Sequence, residues 1–283
     1  MIKEKGAALV VTYNRIEKLE ECIKCLLDQT SMLDKIYVVN NASKDGTETY
    51  LKEIARKHTQ IRYMNNKENL GGAGGFAKGI EWAIEEGADW VWGMDDDAFP
   101  QPEALEKLLK EREKNGRGNA FWSNCNRDEK FDDDVKSVQE WMFVGFFLPK
   151  EIIKAVGLPR ADFYIYYDDF EYADRIIKSG FQILKVRDSI IRHSDATSNE
   201  KKWYIGKKQV EILLLPEQKW KTYYLTRNEL LRYSKKDARY ISAVMRNMRR
   251  IIKAMLYSRN QLGAVLKGFY HGLIGKAGKV MAP

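Results

Sequence analysis

Cysteine, proline and histidine are all scarce in this chain of 283 residues, which has three, six and three of them. An odd cysteine count, with no secretory leader at Met1-Ile2-Lys3, argues against a disulfide framework and for a reducing compartment. The expected location is therefore cytoplasmic. Cys22 and Cys25 form a lone C-x-x-C within an amphipathic helical stretch that offers no second ligand pair, so core or half-buried thiols are expected rather than zinc. Cys125 stands alone. No apolar run approaches the roughly 18 residues a bilayer span needs. What remains is a globular composition, 44% apolar and 31% charged, sufficient for one main domain with an appendage.

Charge of one sign is missing from the C-terminal stretch. From Lys235 to Pro283 there are eleven Lys or Arg against a single acid, Asp237, a local net of +10 in a chain of net +8, which leaves −2 for residues 1–234. Between Ile241 and Leu256 the apolar residues Ile241, Val244, Met245, Met248, Ile251, Ile252, Met255 and Leu256 recur at helical spacing, with Arg246, Arg249, Arg250 and Lys253 on an adjoining face. Such a helix suits an anionic membrane surface, peripherally on the inner face of the cell membrane. The same periodicity also suits a helix docked on the catalytic domain, or one that pairs subunits of a homo-oligomer. No nucleic-acid partner is expected.

Strand and helix signals alternate from the start. Gly6 to Val11 reads as a buried strand, then a helix from about Ile16 to Asp28 with Leu19, Cys22, Ile23, Leu26 and Leu27 on one face. Ile36 to Val39 is a second strand, followed by the polar turn Asn40 to Thr47 and a helix to about Lys57. Ile61 to Met64 is a third strand, a glycine-rich segment from Leu70 opens a third helix, and Trp90 to Gly93 is a fourth strand. This alternation predicts a mostly parallel sheet flanked by helices, an α/β class. Ligands gather at the carboxyl ends of such strands. Thr12 to Arg15, Asn40 to Asp45, Asn69 to Gly75 and Asp95 to Asp97 should therefore converge on one crevice. Further on, the run Trp141 to Leu148 is expected to lie beneath the site, with Gly145 allowing close approach. Phe163 to Arg175 is an aromatic wall leading into a helix. Phe181 to Val186 and Ser189 to His193 are expected as two short strands, and only helices from about Trp220.

The chemistry concentrates in carboxylates. Asp95, Asp96 and Asp97 follow a buried strand, and adjacent acids repel, a cost a hard divalent ion such as Mg²⁺ or Mn²⁺ repays. Such ions usually carry phosphate oxygens, which points to a nucleotide-diphosphate site; a solvated acidic turn is the plainer alternative. Gly72, Gly74 and Ala77 spell a G-x-G-x-x-A, but it does not follow the first strand as a dinucleotide fingerprint would. Its bare backbone can still approach a sugar or diphosphate. Asp168 and Asp169, at a helix start among Tyr164, Tyr166, Tyr167 and Phe170, suit a general base, with helix capping as the competing role. His193 ends a strand and would add a nitrogen ligand, shifting the preferred ion toward Mn²⁺.

These motifs together, Val11 to Arg15, Val39 to Thr47, Asn69 to Gly75, Asp95 to Asp97, Asp168-Asp169-x-Glu171 with Arg175, and His193, resemble inverting family 2 glycosyltransferases of the GT-A fold. They resemble most the bacterial galactofuranosyltransferases and related rhamnosyltransferases. The resemblance covers about residues 6 to 195, and more weakly Tyr223 to Asn228. It implies a GT-A catalytic domain, placed over residues 1–215, and the charge pattern leaves 216–283 as a basic helical region for membrane association or oligomerisation. It also implies that Thr12, Asn14, Arg15, Asn41 and Asp45 hold the base and ribose, with Tyr13, Asn69, Gly71, Gly74, Gly75 and Asp96 also along the nucleotide sugar. Asp95, Asp97 and His193 would be metal ligands for Mn²⁺ or Mg²⁺, and Asp169 the general base. Trp141, Phe143, Gly145, Tyr167 and Asp168 would border a glycan or polyprenyl-linked acceptor. One departure is Asn40-Asn41, where the family often has Asp-Asn.

UDP-galactofuranose is the implied donor, with dTDP-rhamnose the alternative, in cell-surface polysaccharide synthesis. A sugar nucleotidyltransferase would carry a Gly-rich, Lys/Arg-bearing loop directly after the first strand, where this chain has Thr12-Tyr13-Asn14-Arg15. A non-enzymatic adaptor built on the basic tail would leave both acidic motifs unexplained.

Overall fold

The computed structural model describes residues 4–125, 131–193, 200–205, 208–213 and 216–282. The chain divides into two compact units, Met1–Ala161 with Asp169–Ser194, and Asp162–Asp168 with Asp195–Pro283.

The first unit runs β1 (Gly6–Thr12), α1 (Ile16–Leu27), β2 (Lys35–Asn40), α2 (Thr47–Lys57), β3 (Ile61–Asn65), α3 (Gly71–Glu85), β4 (Trp90–Asp95), β5 (Ala98–Pro100), α4 (Ala104–Asn115), β6 (Ala120–Asn124), β7 (Val135–Ser137), β8 (Phe146–Pro149), α5 (Lys150–Val156), α6 (Asp168–Lys178) and β9 (Ile183–His193). Its sheet has the order β3-β2-β1-β4-β8-β6-β9-β5, with β7 also on β9. The first four strands are parallel, as expected of the βα alternation. All seven residues of β1 are buried, because neighbours on both edges and helices on the faces leave no side of it to water. β8 enters antiparallel between β4 and β6, so the site-bearing β4 is covered on both edges.

Several details differ from the sequence expectation, among them strand β7 and the strands Glu200–Ile205 and Lys208–Leu213, which it did not include. The segments foreseen as two short strands form the single β9, which pairs with β6 from Ile183 to Val186, slips register, and ends paired with β5. Arg187 and Asp188, between the two expected strands, lie at that slip, where Arg187 pairs with both Asp188 and Asp134. The three-residue β5 was not foreseen at all. It is too short to carry a periodic signal.

The second unit holds β10 (Glu200–Ile205) and β11 (Lys208–Leu213), which form an antiparallel hairpin, and then α7 (Lys219–Leu231), α8 (Ala238–Tyr257) and α9 (Leu262–Leu273). α7 and α9 approach closely: a Cβ on Gly268 would lie 2.6 Å from the Tyr223 carbonyl oxygen. No helix among the described residues is long and apolar enough to cross a membrane.

Candidate active site

β2 and β3 wind off one edge of β1 while β4 pairs with the other, and the crevice of an open α/β sheet forms at such a reversal. The carboxyl ends of β1 and β4 are in register there, Val11 beside Asp95. The buried Thr12 hydroxyl donates to Asp96 Oδ2 at 2.8 Å. Arg15 Nη1 donates to Asp97 Oδ2 at 3.0 Å and to Asp96 Oδ1 at 3.4 Å. The chain then turns into β5, whose Ala98 pairs with His193 at the end of β9. That pairing brings a histidine 96 residues downstream against the triplet. One ligand atom from each of Asp95, Asp97 and His193 lies within 4.8 Å of the others.

The electrostatics separate the acids. Burial pushes the Asp96 carboxyl up to about 6, against the opposing hydrogen bond from Thr12 and charge of Arg15. Burial also works to raise Asp97, but His193 and Arg15 beside it outweigh that and hold it below the ordinary carboxylate value. Asp97 Oδ1 is buried and takes no hydrogen bond, while His193 Nε2 lies 3.2 Å from it. A buried carboxylate oxygen left without a donor is costly. Two carboxylates and an imidazole converging on one point, one of them with such an oxygen, fit a divalent cation with a mixed N/O shell.

Along β2 the polar residues are tied to one another. Asn14 adopts φ +53°, a left-handed conformation asparagine tolerates. Its N–H donates to Ser43 Oγ at 2.9 Å, and its Oδ1 accepts from the Lys44 N–H at 2.7 Å. Asp45 accepts from the Ile16 N–H at 2.9 Å and from the Thr47 hydroxyl at 2.6 Å, joining the starts of α1 and α2. Asn40 bridges Asn65 and the Ser43 N–H. Asn41 is 2% exposed; its amide donates to the Gly71 carbonyl and accepts from Asn66, which Lys78 in turn reaches at 2.6 Å. Asn69 Oδ1 accepts from the Gly71 N–H. This Asn41–Asn66–Lys78 relay, which spans 37 residues, has no local signature in the sequence.

The glycines divide by use. Gly75 lies where a Cβ would meet Val11 at 2.5 Å, and Gly74 where it would meet Leu70 at 2.7 Å, whereas a Cβ on Gly72 would meet nothing within 4 Å. Gly75 thus lets α3 sit close to β1, while Gly74 leaves room for Leu70 at the start of its own helix. Tyr13 is partly exposed at 36%.

The second acidic motif opens α6. Asp169 is half-buried, its Oδ1 accepts from the Phe170 N–H at 2.8 Å, and its carbonyl accepts from Trp141 Nε1 at 3.1 Å. Trp141 is 1% and Phe143 5% exposed. Phe143 packs between Phe76, Phe146 and Tyr172, so both aromatics lie in the core as supports of α6. Gly145 has φ +76°, with Ile191 2.5 Å from the place of a Cβ. Tyr164, Tyr166 and Tyr167 have φ of +69°, +66° and +65°, and Asp168, which follows them, is buried. Within the second unit the buried Arg227 and Asn228 of α7 hold this segment. Arg227 donates to the Asp162 and Phe163 carbonyls, and Asn228 to those of Phe163, Ile165 and Tyr166. In the sequence they stand only within the weakly matching stretch Tyr223 to Asn228, where an Arg-Asn pair among tyrosines in a helix is the one available signal.

Residues 7–167 match the model of glycosyl transferase family 2. The chain belongs to that family. As a family 2 glycosyltransferase it is similar to the galactofuranosyltransferase GlfT1 of Mycobacterium tuberculosis, with 27% identity over 249 residues that cover 80% of this chain and 81% of the relative. Its fold is that of a mannosyltransferase from Pyrobaculum calidifontis in complex with GDP-Man and Mn²⁺, with a TM-score of 0.60 and 14% identity, covering 97% of this chain and 89% of that one. It is likewise similar to residues 1–349 of S. aureus TarS in complex with UDP-GlcNAc, with a TM-score of 0.58 and 14% identity, covering 95% and 81%.

Proposed function

We propose that this family 2 glycosyltransferase moves galactofuranose from UDP-galactofuranose, with inversion, onto a glycan or lipid-linked acceptor in cell-surface polysaccharide synthesis. The observation that carries the reading is the meeting of Asp95, Asp97 and His193 at the mouth of the β1/β4 crevice. Similarity to GlfT1 supports the choice of donor. A soluble donor and a lipid-linked acceptor together favour the cytoplasmic face of the membrane as the place of work.

Mn²⁺ or Mg²⁺ held by Asp95, Asp97 and His193 would neutralise the donor diphosphate, so that the nucleotide departs as a stabilised anion. Thr12, Asn14, Arg15, Asn41 and Asp45 shape the base and ribose side, with Tyr13, Asn69, Gly71, Gly74, Gly75 and Asp96 along the nucleotide sugar. Asp169 accepts the proton of the acceptor hydroxyl while that oxygen bonds to the anomeric carbon. The electron pair of the breaking bond to phosphate leaves with UDP, and attack from the opposite face inverts the centre. Trp141 fixes the first turn of α6 and so the base, Phe143 and Gly145 support it, and Tyr167 and Asp168 precede it on the acceptor side.

A thermal-shift panel of UDP-, dTDP- and GDP-sugars with Mn²⁺ and Mg²⁺ tests the donor, since a ligand stabilises the fold that binds it. UDP-galactofuranose with metal should give the largest shift. A larger shift with dTDP-rhamnose would move the assignment to a rhamnosyltransferase. Asp169→Asn should bind donor as the wild type does and lose transfer by on the order of 10²- to 10⁴-fold; full turnover by that variant eliminates the base.

A further inference from the structure

α8 is turned inside out. Its buried positions are Ala243, Asn247 and Ala254, and the polar ones among its inward residues meet α7 through charge. Glu229, 2% exposed, accepts from Asn247 at 3.0 Å and Arg250 at 2.9 Å, and also from Arg246. The large apolar side chains point the other way. Ile241, Met245, Met248, Ile252 and Met255 follow the i, i+4, i+7, i+11, i+14 pattern of a single helix face, and with Leu256 they are 47% to 69% exposed. A helix normally spends its apolar stripe on its own core, and a contiguous apolar row left in water marks an interaction surface.

The charges around the row choose its occupant. α8 carries five Lys or Arg and no acid. Arg249 is exposed beside the row and Lys253 is half-buried one turn further on, while the one buried acid at α8, Glu229, faces inward. A second copy of this chain would bring the same positive segment against itself. An anionic lipid surface supplies both what the row lacks, an apolar phase, and what its flank lacks, negative charge. Three of the side chains in the row are methionines, whose flexible thioethers adapt to an irregular partner. α9 and the residue that follows it add a shorter exposed row, Leu266, Tyr270 and Ile274, with tyrosine suited to a membrane–water boundary.

We propose that α8 is an interfacial helix that seats its Ile241-to-Leu256 row in an anionic bilayer, with Arg249 and Lys253 at the headgroups. The inference rests chiefly on α8 and stands whether the donor is a galactofuranosyl or a rhamnosyl nucleotide.

Vesicle co-sedimentation of the full chain tests it, with phosphatidylcholine alone against phosphatidylcholine mixed with phosphatidylglycerol. Binding to the anionic vesicles should be on the order of tenfold stronger and should weaken with salt. Met248→Ser with Ile252→Ser should abolish it, and Arg249→Glu should reduce it severalfold, while thermal unfolding and the nucleotide-sugar thermal shift stay as in the wild type. These positions are exposed, so the fold should survive. Equal partitioning of wild type and double variant, or no preference for anionic lipid, overturns the proposal. So does a dimer in solution that the double variant splits while the wild type ignores vesicles.

Discussion

The side-chain amide of Asn228 donates to the main-chain carbonyl of Tyr166 at 3.0 Å, and with two further bonds to Phe163 and Ile165 it fixes a stretch that would not hold its shape alone. Left-handed conformations at non-glycine residues cost about 1–2 kcal/mol each, and three tyrosines of this stretch adopt them. One amide thus offsets strain just ahead of Asp168 and Asp169. Asn228→Leu, close in volume, strips donors from three carbonyls and should cost about 3 kcal/mol or more. Urea unfolding should register the loss, and transfer should fall while donor affinity holds. Unchanged stability would remove the clamp from the account.

His193→Ala removes the one nitrogen of the three-residue cluster and leaves Asp97 Oδ1 without its 3.2 Å neighbour. Metal affinity should drop on the order of 10²-fold, a loss like that from disturbing other tuned metal sites. Titration calorimetry with Mn²⁺ checks this. Chelation of the wild type should abolish transfer and metal should restore it; metal binding unaffected by the substitution would dissolve the cluster as a site.

Asp45 makes a pH prediction. Burial would raise its carboxyl, but hydrogen bonds from Thr47 and Ile16 outweigh that and set it below the ordinary value. A group depressed in the folded state stabilises fully above its unfolded pKa of about 3.9, and that stability is lost as pH falls through the folded value. Asp45→Ala should therefore cost about 1 kcal/mol at neutral pH, and the gap to wild type should narrow below about pH 4. Denaturant midpoints measured across that range decide it, and a gap that stayed constant would count against the bridge between α1 and α2.

The glycines of α3 should part company on substitution. Gly75→Ala places a methyl 2.5 Å from Val11 and should destabilise by about 1–3 kcal/mol. Gly72→Ala meets open space and should stabilise by about 0.5–1 kcal/mol through helix propensity. If Gly72 borders the donor, nucleotide-sugar affinity falls in that same variant. Thermal unfolding with and without donor separates the two effects.

The α/β alternation was legible because buried parallel strands are written as continuous apolar runs, as in Ala7 to Val11 and Ile36 to Val39, and their helices as periodic ones. The acidic triplet and His193 were legible as candidate ligands, since adjacent carboxylates after a buried strand repel unless a cation or water relieves them. The partner exchange within β9 was not, because a strand that changes neighbours has no periodicity of its own. That Trp141 and Phe143 lie beneath the site was legible in their apolar run, but not that Phe143 packs against Phe76 and Tyr172, because partners from remote segments leave no local pattern.

Local order, then, is set by the chain itself: apolar spacing fixes strand and helix, and residue chemistry fixes where a cation or a proton can be handled. Which of these groups meet is decided in three dimensions. β5 pairing with β9 carries His193 to Asp97, and α7 turning Glu229 inward leaves α8 with its apolar row outside. Both are contacts between segments remote in sequence, and one-dimensional pattern holds no record of which remote segments share an edge or a face.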